Sequence, residues 1–244
     1  MGTPVTARPL DHVVDAILAP PPTGQYVAIA NVHSLMMSRR SPDLSRAMRA
    51  AHIVTPDGMP LVWALRTLGH PEQERVHGMA VVDACLDRGR ETGARHYFYG
   101  SSNETLDQIR RRLPDGVEAA GFHSPPFRPL TDAEISEDVD RILESAPTVV
   151  WVGLGAPKQE LWMHRMHARL PGISLVGVGA VFDWLAGNVT KAPDWMQSAG
   201  LEWLYRLSRE PRRLWRRYLW NNPAYLVLLG TQIAKERLIG ASRR

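Results

Sequence analysis

Apolar positions recur along this chain with two different spacings, and the order in which the spacings alternate outlines the fold. Leu10, Val13, Val14, Ile17 and Leu18 recur at helical spacing before Pro20-Pro21-Pro22 stops the helix. Tyr26–Ala30 is an apolar run, the mark of a buried strand. Ile53-Val54 makes a second strand, followed by the turn residues Pro56-Asp57-Gly58 and a helix from Pro60 to Leu68. A helix through Val81, Val82, Cys85 and Leu86 leads to a strand at Arg95–Gly100, and Ser101-Ser102-Asn103 caps a helix ending near Arg112. Val117–Phe122 is the next strand, and the proline-rich Ser124–Pro129 is a loop. Thr131 and Glu134 form a capping box that opens a helix reaching Ser145. Val149–Val152 is a short β-branched run, after which Gly153 and Gly155 turn the chain into a helix from Gln159 to Leu170, with Pro157 at its start. Ser174–Val178 is the last strand, and Ala180–Gly187 sets Asp183 among Phe182, Trp184 and Leu185. Strand and helix signals alternate with no internal repeat, which predicts an α/β protein with a doubly wound, mostly parallel sheet.

Charge divides the chain where the strands stop. Residues 195–244 hold ten Arg or Lys against three Glu, a net +7, which leaves −3 for residues 1–194 of a chain whose total is +4. The same tail carries Trp195, Trp203, Trp215 and Trp220, half of the tryptophans. Leu201, Leu204, Tyr205 and Ser208 line one helical stripe, Pro211 starts a second helix, and Tyr225–Ile239 reads as a third. Residues 1–194 are thus expected as an α/β domain and 195–244 as a basic, Trp-rich helical appendage. An acidic body with a basic aromatic tail calls for an anionic partner, and an amphipathic basic segment suits either a membrane interface or a packed helical cap. No stretch approaches the roughly 20 apolar residues of a membrane span, and Asp11 and Asp15 interrupt any signal-peptide core at the start. A single cysteine, Cys85, fits a reducing compartment. These features predict a cytoplasmic protein.

In parallel sheets ligands gather at the carboxyl ends of the strands, so the residues that follow each strand are the candidates for chemistry. Asn31 and His33 follow the first strand, Asn31 serving either as a helix cap or as a ligand contact. Asp57 follows the second, either shaping the turn or offering a carboxylate to take a proton from an attacking hydroxyl. Gly153, Gly155 and the helix start at Lys158-Gln159 form a corner suited to an anion such as a nucleotide phosphate. Lys158 stands where a dinucleotide fingerprint needs its third glycine, which counts against an NAD-dependent oxidoreductase. A nucleic-acid-binding module working through the Arg/Trp tail is a further alternative, but it gives Asp57, Gln159 and Asp183 no task. Asp138 and Asp140 fall about 200° apart on a helix and read as solvated surface. His164 and His167 lack a third ligand and read as surface histidines, so no metal is expected.

The segments PDGMPLVWALR, ERVHG, VGLGAPKQE, GVGAVFDWLAG, KAPDWM and GLEWLYRLSREPRRLWRRY, in this order, resemble the successive motifs of the WecG/TagA/CpsF glycosyltransferases. The resemblance spans about Asn31 to Pro223. It implies a Rossmann-like, inverting, metal-independent enzyme without a cofactor. Such an enzyme moves N-acetylmannosamine or a related hexose from a UDP-sugar to a polyprenyl-diphosphate-linked sugar in cell-surface polysaccharide synthesis. Carried over by motif, Asp57 matches the general base and Asn31 the first-strand end; Gln159 and Asp183 match positions near the ribose and base. Arg206, Arg213 and Arg216 match tail arginines that close over the diphosphate. The resemblance also implies a tail that docks on the sheet domain and brings the enzyme to the inner face of the membrane. It leaves room for a homo-oligomer, and no nucleic acid is expected as partner. Ile29, Ala80 and Lys191 depart from common family residues and bear on which sugar is used.

Overall fold

The computed structural model describes residues 2–189, 192–193, 195–196, 200–209 and 211–241, and the side chains of 202, 206, 213, 214, 216–219 and 236–241 lie outside that set. Six strands form one sheet in the order β2-β1-β6-β5-β3-β4. They are β1 (Gln25–Ala30), β2 (Ile53–Pro56), β3 (Arg95–Gly100), β4 (Glu118–His123), β5 (Val149–Gly153) and β6 (Ser174–Gly177). Every pairing is parallel, for example Val27 opposite Ile53 and Val152 opposite Gly177. All six strands therefore end on one rim.

Side chains alternate across the sheet with the strand period of two. Val27, Phe98, Val149, Trp151 and Val176 face α1 (Leu10–Leu18), α5 (Gly78–Thr92), α6 (Asn103–Arg112) and α9 (Val181–Leu185). Tyr26, Tyr97, Tyr99, Val150, Val152 and Leu175 face the other way, against α7 (Asp132–Glu144) and α8 (Lys158–Met166). Helices on both faces explain why the strands lack a polar side. Ala28, Ala30 and Val54 continue that second face beneath α2 (Val32–Arg40), α3 (Pro42–Ala50) and Leu61 of α4 (Met59–Thr67).

Three local readings change. Pro211–Ala241 is one helix with Pro223 inside it, so the second and third tail helices are continuous. We label it α11; the stripe at 201–208 is α10 (Glu202–Arg209). Asp138 is buried, not solvated: the Tyr99 hydroxyl donates to Oδ2 at 2.6 Å, and His123 Nε2 stands 2.8 Å from Oδ1. Burial pushes its carboxyl up, yet the bonds from His123 and Tyr99 outweigh that and hold it below the usual carboxylate range. His164 is half-buried, with Nδ1 3.1 Å from the Tyr26 hydroxyl, rather than a plain surface residue. The His167 ring packs tilted against the same tyrosine, with centroids 5.0 Å apart.

Strand order positions the site. The chain leaves β3 outward for β4 and leaves β5 in the opposite direction for β6. Neighbouring strands whose connections diverge open a crevice at their carboxyl ends. Here that crevice lies between Gly100-Ser101 and Gly153-Leu154. Gly100 has φ +114, and a Cβ there would meet the Gly153 carbonyl carbon at 2.7 Å, so the two strand ends touch only because glycine stands at 100. Ser101 follows with φ +61, a left-handed conformation stored beside the crevice.

Candidate active site

The rim is assembled from the first residues after each strand. Asn31 Oδ1 accepts from the backbone amides of His33 (3.1 Å) and Ser34 (3.2 Å), so its side chain caps α2. Ser34 Oγ accepts the Asn31 amide in return at 2.9 Å, closing a capping box. The cap fixes Asn31 against the next loop: a Cβ on Gly58 would lie 3.7 Å from Asn31 Cβ.

Asp57 extends β2 past its last residue, its amide donating to Ala30 O at 2.8 Å. That bond places the carboxylate beside Asn31 on the rim. Arg75 then clasps it: Nε donates to the Asp57 carbonyl and Nη2 stands 3.4 Å from Oδ1. Both side chains are largely covered, 18% and 25% exposed, so this pair is better shielded than a surface ion pair. The segment that carries Arg75 is pinned by the Val76 amide, which donates to Pro56 O at 3.1 Å. His77 caps α5 through Nδ1, accepting from the Ala80 amide at 3.3 Å. A Cβ on Gly78 would sit 2.8 Å from Val181 Cγ2 and 3.9 Å from Val178 O, so this turn bridges Asp57 to the end of β6.

Beyond β6 lies the glycine corner. Gly155 has φ +74 with open space around it, and the Gln159 amide donates to its carbonyl at 3.0 Å. Helix α8 starts at Lys158, which is exposed, after Pro157 and without a side-chain cap. No capping side chain covers this N-terminus, the end of a helix that favours an anion. Gln159 turns inward over Gly177 and Gly179; a Cβ at either position would approach its amide to 3.0 or 3.2 Å. Asp183 lies in the first turn of α9 at the same rim, half-buried, its carbonyl accepting the Asn188 amide at 2.8 Å.

The tail reaches the same end of the sheet. On α11, Asn221 and Tyr225 are buried and lie one helical turn apart. Asn221 Nδ2 meets His33 Nδ1 at 2.9 Å, and the Tyr225 hydroxyl donates to Pro60 O at 3.0 Å. Ala224, Leu228 and Leu229 pack on the same core cluster. Gly200, with φ +71, rests on α4, where its Cβ would meet Met59 at 3.2 Å and Trp63 at 3.4 Å. Arg206 lies on α10, and Arg213 and Arg216 on α11; their side chains are outside the described residues, as is Lys191. No group of three or more His, Cys, Asp or Glu among the described residues is arranged to hold a metal ion.

Asn31, His33, Asp57, Gly155, Lys158, Gln159 and Asp183 thus all follow strand ends on one rim. Sequence reading missed Arg75 and Asn221. ERVHG entered only as a family motif with no role for Arg75, and a lone asparagine in a basic helix carried no signal. Ser34 of α2 was also unread, although its pairing with Asn31 sets the loop that Asp57 abuts.

Fold and rim together define a doubly wound α/β enzyme with its polar groups gathered at the strand ends. The chain matches the Glycosyl transferase WecG/TagA/CpsF family over residues 1–238 and belongs to that family. It is 32% identical over 208 residues to the N-acetylglucosaminyldiphosphoundecaprenol N-acetyl-beta-D-mannosaminyltransferase of Bacillus spizizenii (strain ATCC 23059 / NRRL B-14472 / W23). The matched region is 84% of this chain and 78% of that relative. The protein is therefore a glycosyltransferase.

Proposed function

We propose that this enzyme transfers N-acetylmannosamine, or a closely related hexose, from UDP to a sugar held on polyprenyl diphosphate, with inversion at the anomeric carbon and without a metal ion. The Bacillus relative's name supports the hexose and the acceptor. One observation carries the catalytic part: Asp57 is held by Arg75 on the rim that also bears Gln159 and the glycine corner.

In this scheme an acceptor hydroxyl approaches Asp57, whose carboxylate takes the proton as the oxygen attacks the anomeric carbon. The bond from that carbon to the β-phosphate oxygen breaks on the opposite face, which inverts the centre. UDP leaves with the electron pair and one more negative charge. Arg206, Arg213 and Arg216 of the tail neutralise that charge, because guanidinium groups stay charged at any relevant pH and match phosphate oxygens in pairs. Gln159 and Asp183 hold the nucleoside, and Asn31 with His33 borders the transferred sugar.

The two faces of α11 support a role at a membrane surface. Asn221, Tyr225 and Leu229 turn toward the body, while Trp220, Leu226 and Val227 remain exposed, Trp220 at 70%. Such apolar side chains beside a basic helix insert into an interface and hold the enzyme where its lipid-linked acceptor resides. No helix among the described residues is long and apolar enough to cross a membrane. The test is mass-spectrometric detection of a disaccharide-diphosphate lipid when the protein is given UDP-N-acetylmannosamine and a short-chain N-acetylglucosaminyl-diphosphate lipid. Transfer from that donor, and little from UDP-glucose, is the expected outcome; no transfer from any UDP-hexose overturns the reading.

A further inference from the structure

Two neighbouring side chains at the start of α8 are almost completely buried and incompletely bonded. Gln159 is 4% exposed and Glu160 1%. Gln159 Nε2 donates to Glu160 Oε1 at 3.1 Å. Gln159 Oε1 and Glu160 Oε2 have no hydrogen-bond partner. Leaving a buried polar atom unsatisfied is costly, so native folds rarely keep one without a use for it.

The direction of the amide supplies the use. A glutamine amide donates from one end and accepts at the other, and the two ends have nearly the same shape. Its neighbour decides which end goes where. Glu160 Oε1 accepts from Nε2, so the amide nitrogen faces Glu160 and the amide oxygen faces outward. Outward means the end of β6: a Cβ on Gly179 would lie 3.2 Å from Gln159 Oε1, and one on Gly177 would lie 3.0 Å from Nε2. The three atoms nearest to a Cβ on Gly179 all belong to Gln159 and Gly179 is only half-buried, so a ligand approaches from that side, whereas the space above Gly177 is filled by Met163 Cε at 2.6 Å. Gly179 also has φ +53, so a side chain there would be strained as well as crowded.

We propose that Glu160 is a positioning residue for donor recognition, fixing the Gln159 amide with its oxygen outward so that the rim accepts a hydroxyl of the sugar nucleotide. Glu160 does not itself touch the donor. Burial raises its carboxyl above the usual glutamate range, while the bonds from its own amide and from Gln159 oppose that shift. The inference rests on the UDP-sugar reading and adds to it a residue that acts through another.

A double-mutant cycle on UDP affinity, measured calorimetrically, tests it. With Gln at 160 the neighbour offers both a donor and an acceptor, so Gln159 loses its single preferred direction. Glu160→Gln is expected to weaken UDP about tenfold, the worth of one directed hydrogen bond. Gln159→Ala is expected to do the same, and the pair together to cost no more than either alone. A loss confined to the complete UDP-sugar assigns the hydroxyl to the hexose rather than to the ribose and equally supports the proposal. Glu160→Asp keeps a carboxylate acceptor and is expected to retain more affinity than Glu160→Gln; it completes the cycle should Glu160→Gln not fold. Overturning results are an unchanged affinity in Glu160→Gln, or a loss that persists in full on the Gln159→Ala background. If the unaltered enzyme binds neither UDP nor a UDP-sugar, the donor reading falls as well, which separates the two failures.

Discussion

Arg75 holds Asp57 at two points, Nε to the backbone carbonyl and Nη2 at 3.4 Å from Oδ1. The two residues are 18 positions apart in sequence and meet because the Val76 amide docks on Pro56 at the end of β2. The clasp restricts where the carboxylate can point. A base that must meet an acceptor hydroxyl at hydrogen-bond distance gains from that restriction.

Replacing Asp57 by Asn is expected to leave UDP affinity within about twofold and to lower kcat by roughly a hundred- to ten-thousandfold, the usual worth of a positioned base. Arg75→Ala is expected to lower kcat about tenfold through loss of orientation. Arg75→Lys should not restore it, because an ammonium lacks the two-pronged geometry of the guanidinium. Steady-state kinetics paired with UDP titrations check all three; normal turnover in Asp57→Asn removes it from the base role.

Docking of the tail is expected to depend on Tyr225. Its ring is 1% exposed within a cluster containing Ala30, Leu35 and Leu61, and its hydroxyl bonds Pro60 O. Tyr225→Phe should cost about 1 kcal/mol, one hydrogen bond, and Tyr225→Ala roughly 3–5 kcal/mol of docking energy. Hydrogen exchange should then accelerate along α11 and in α2 while the sheet stays protected. Exchange unchanged along α11 in Tyr225→Ala would contradict this account of the docking.

Stability is expected to fall in mild acid because of His96. Burial lowers its pKa from 6.5 to about 4. Trp151 Nε1 donates to its Nδ1 at 3.3 Å, and a Cβ on Gly89 would meet Nε2 at 2.5 Å, so the ring is neutral and enclosed. As pH drops below 6.5 the unfolded chain takes a proton that the folded chain refuses until about 4, so stability is lost across that window as acid is added. The loss is on the order of a few kcal/mol. His96→Asn retains an acceptor for Trp151 and should flatten the slope of Tm against pH between those limits; an unchanged slope contradicts the assignment.

Elements buried on both faces were legible from sequence because their runs of apolar and aromatic residues are long enough to show, even with His96 buried inside one of them. Val149–Gly153 and Arg95–Gly100 lie where their composition puts them. Legibility failed where a contact from far along the chain decides. Helix periodicity correctly separated Asp138 from Asp140, but only the fold shows that Asp138 is the inward one, met by Tyr99 from 39 residues away. Pro223 reads as a helix break, and yet α11 runs through it. Helix α2 gave little signal because it buries Ser34 and Ser38 beside Leu35 and Met36, which blurs the apolar stripe. At the site, strand-end residues could be found by a rule of topology. Arg75 could not, since its partner is fixed by the chain returning to β2 through a loop.

The central claim is that cationic side chains of the tail stabilise the departing UDP in place of a divalent ion. The most direct measurement is turnover with a UDP-sugar and a lipid-linked acceptor in excess chelator, for the unaltered enzyme and for Arg213→Ala/Arg216→Ala. The account expects full turnover with chelator present and a loss of at least a hundredfold in the double variant, about 2.7 kcal/mol of transition-state stabilisation. Turnover that disappears with chelator and returns with magnesium, or a double variant as active as the parent, would contradict it.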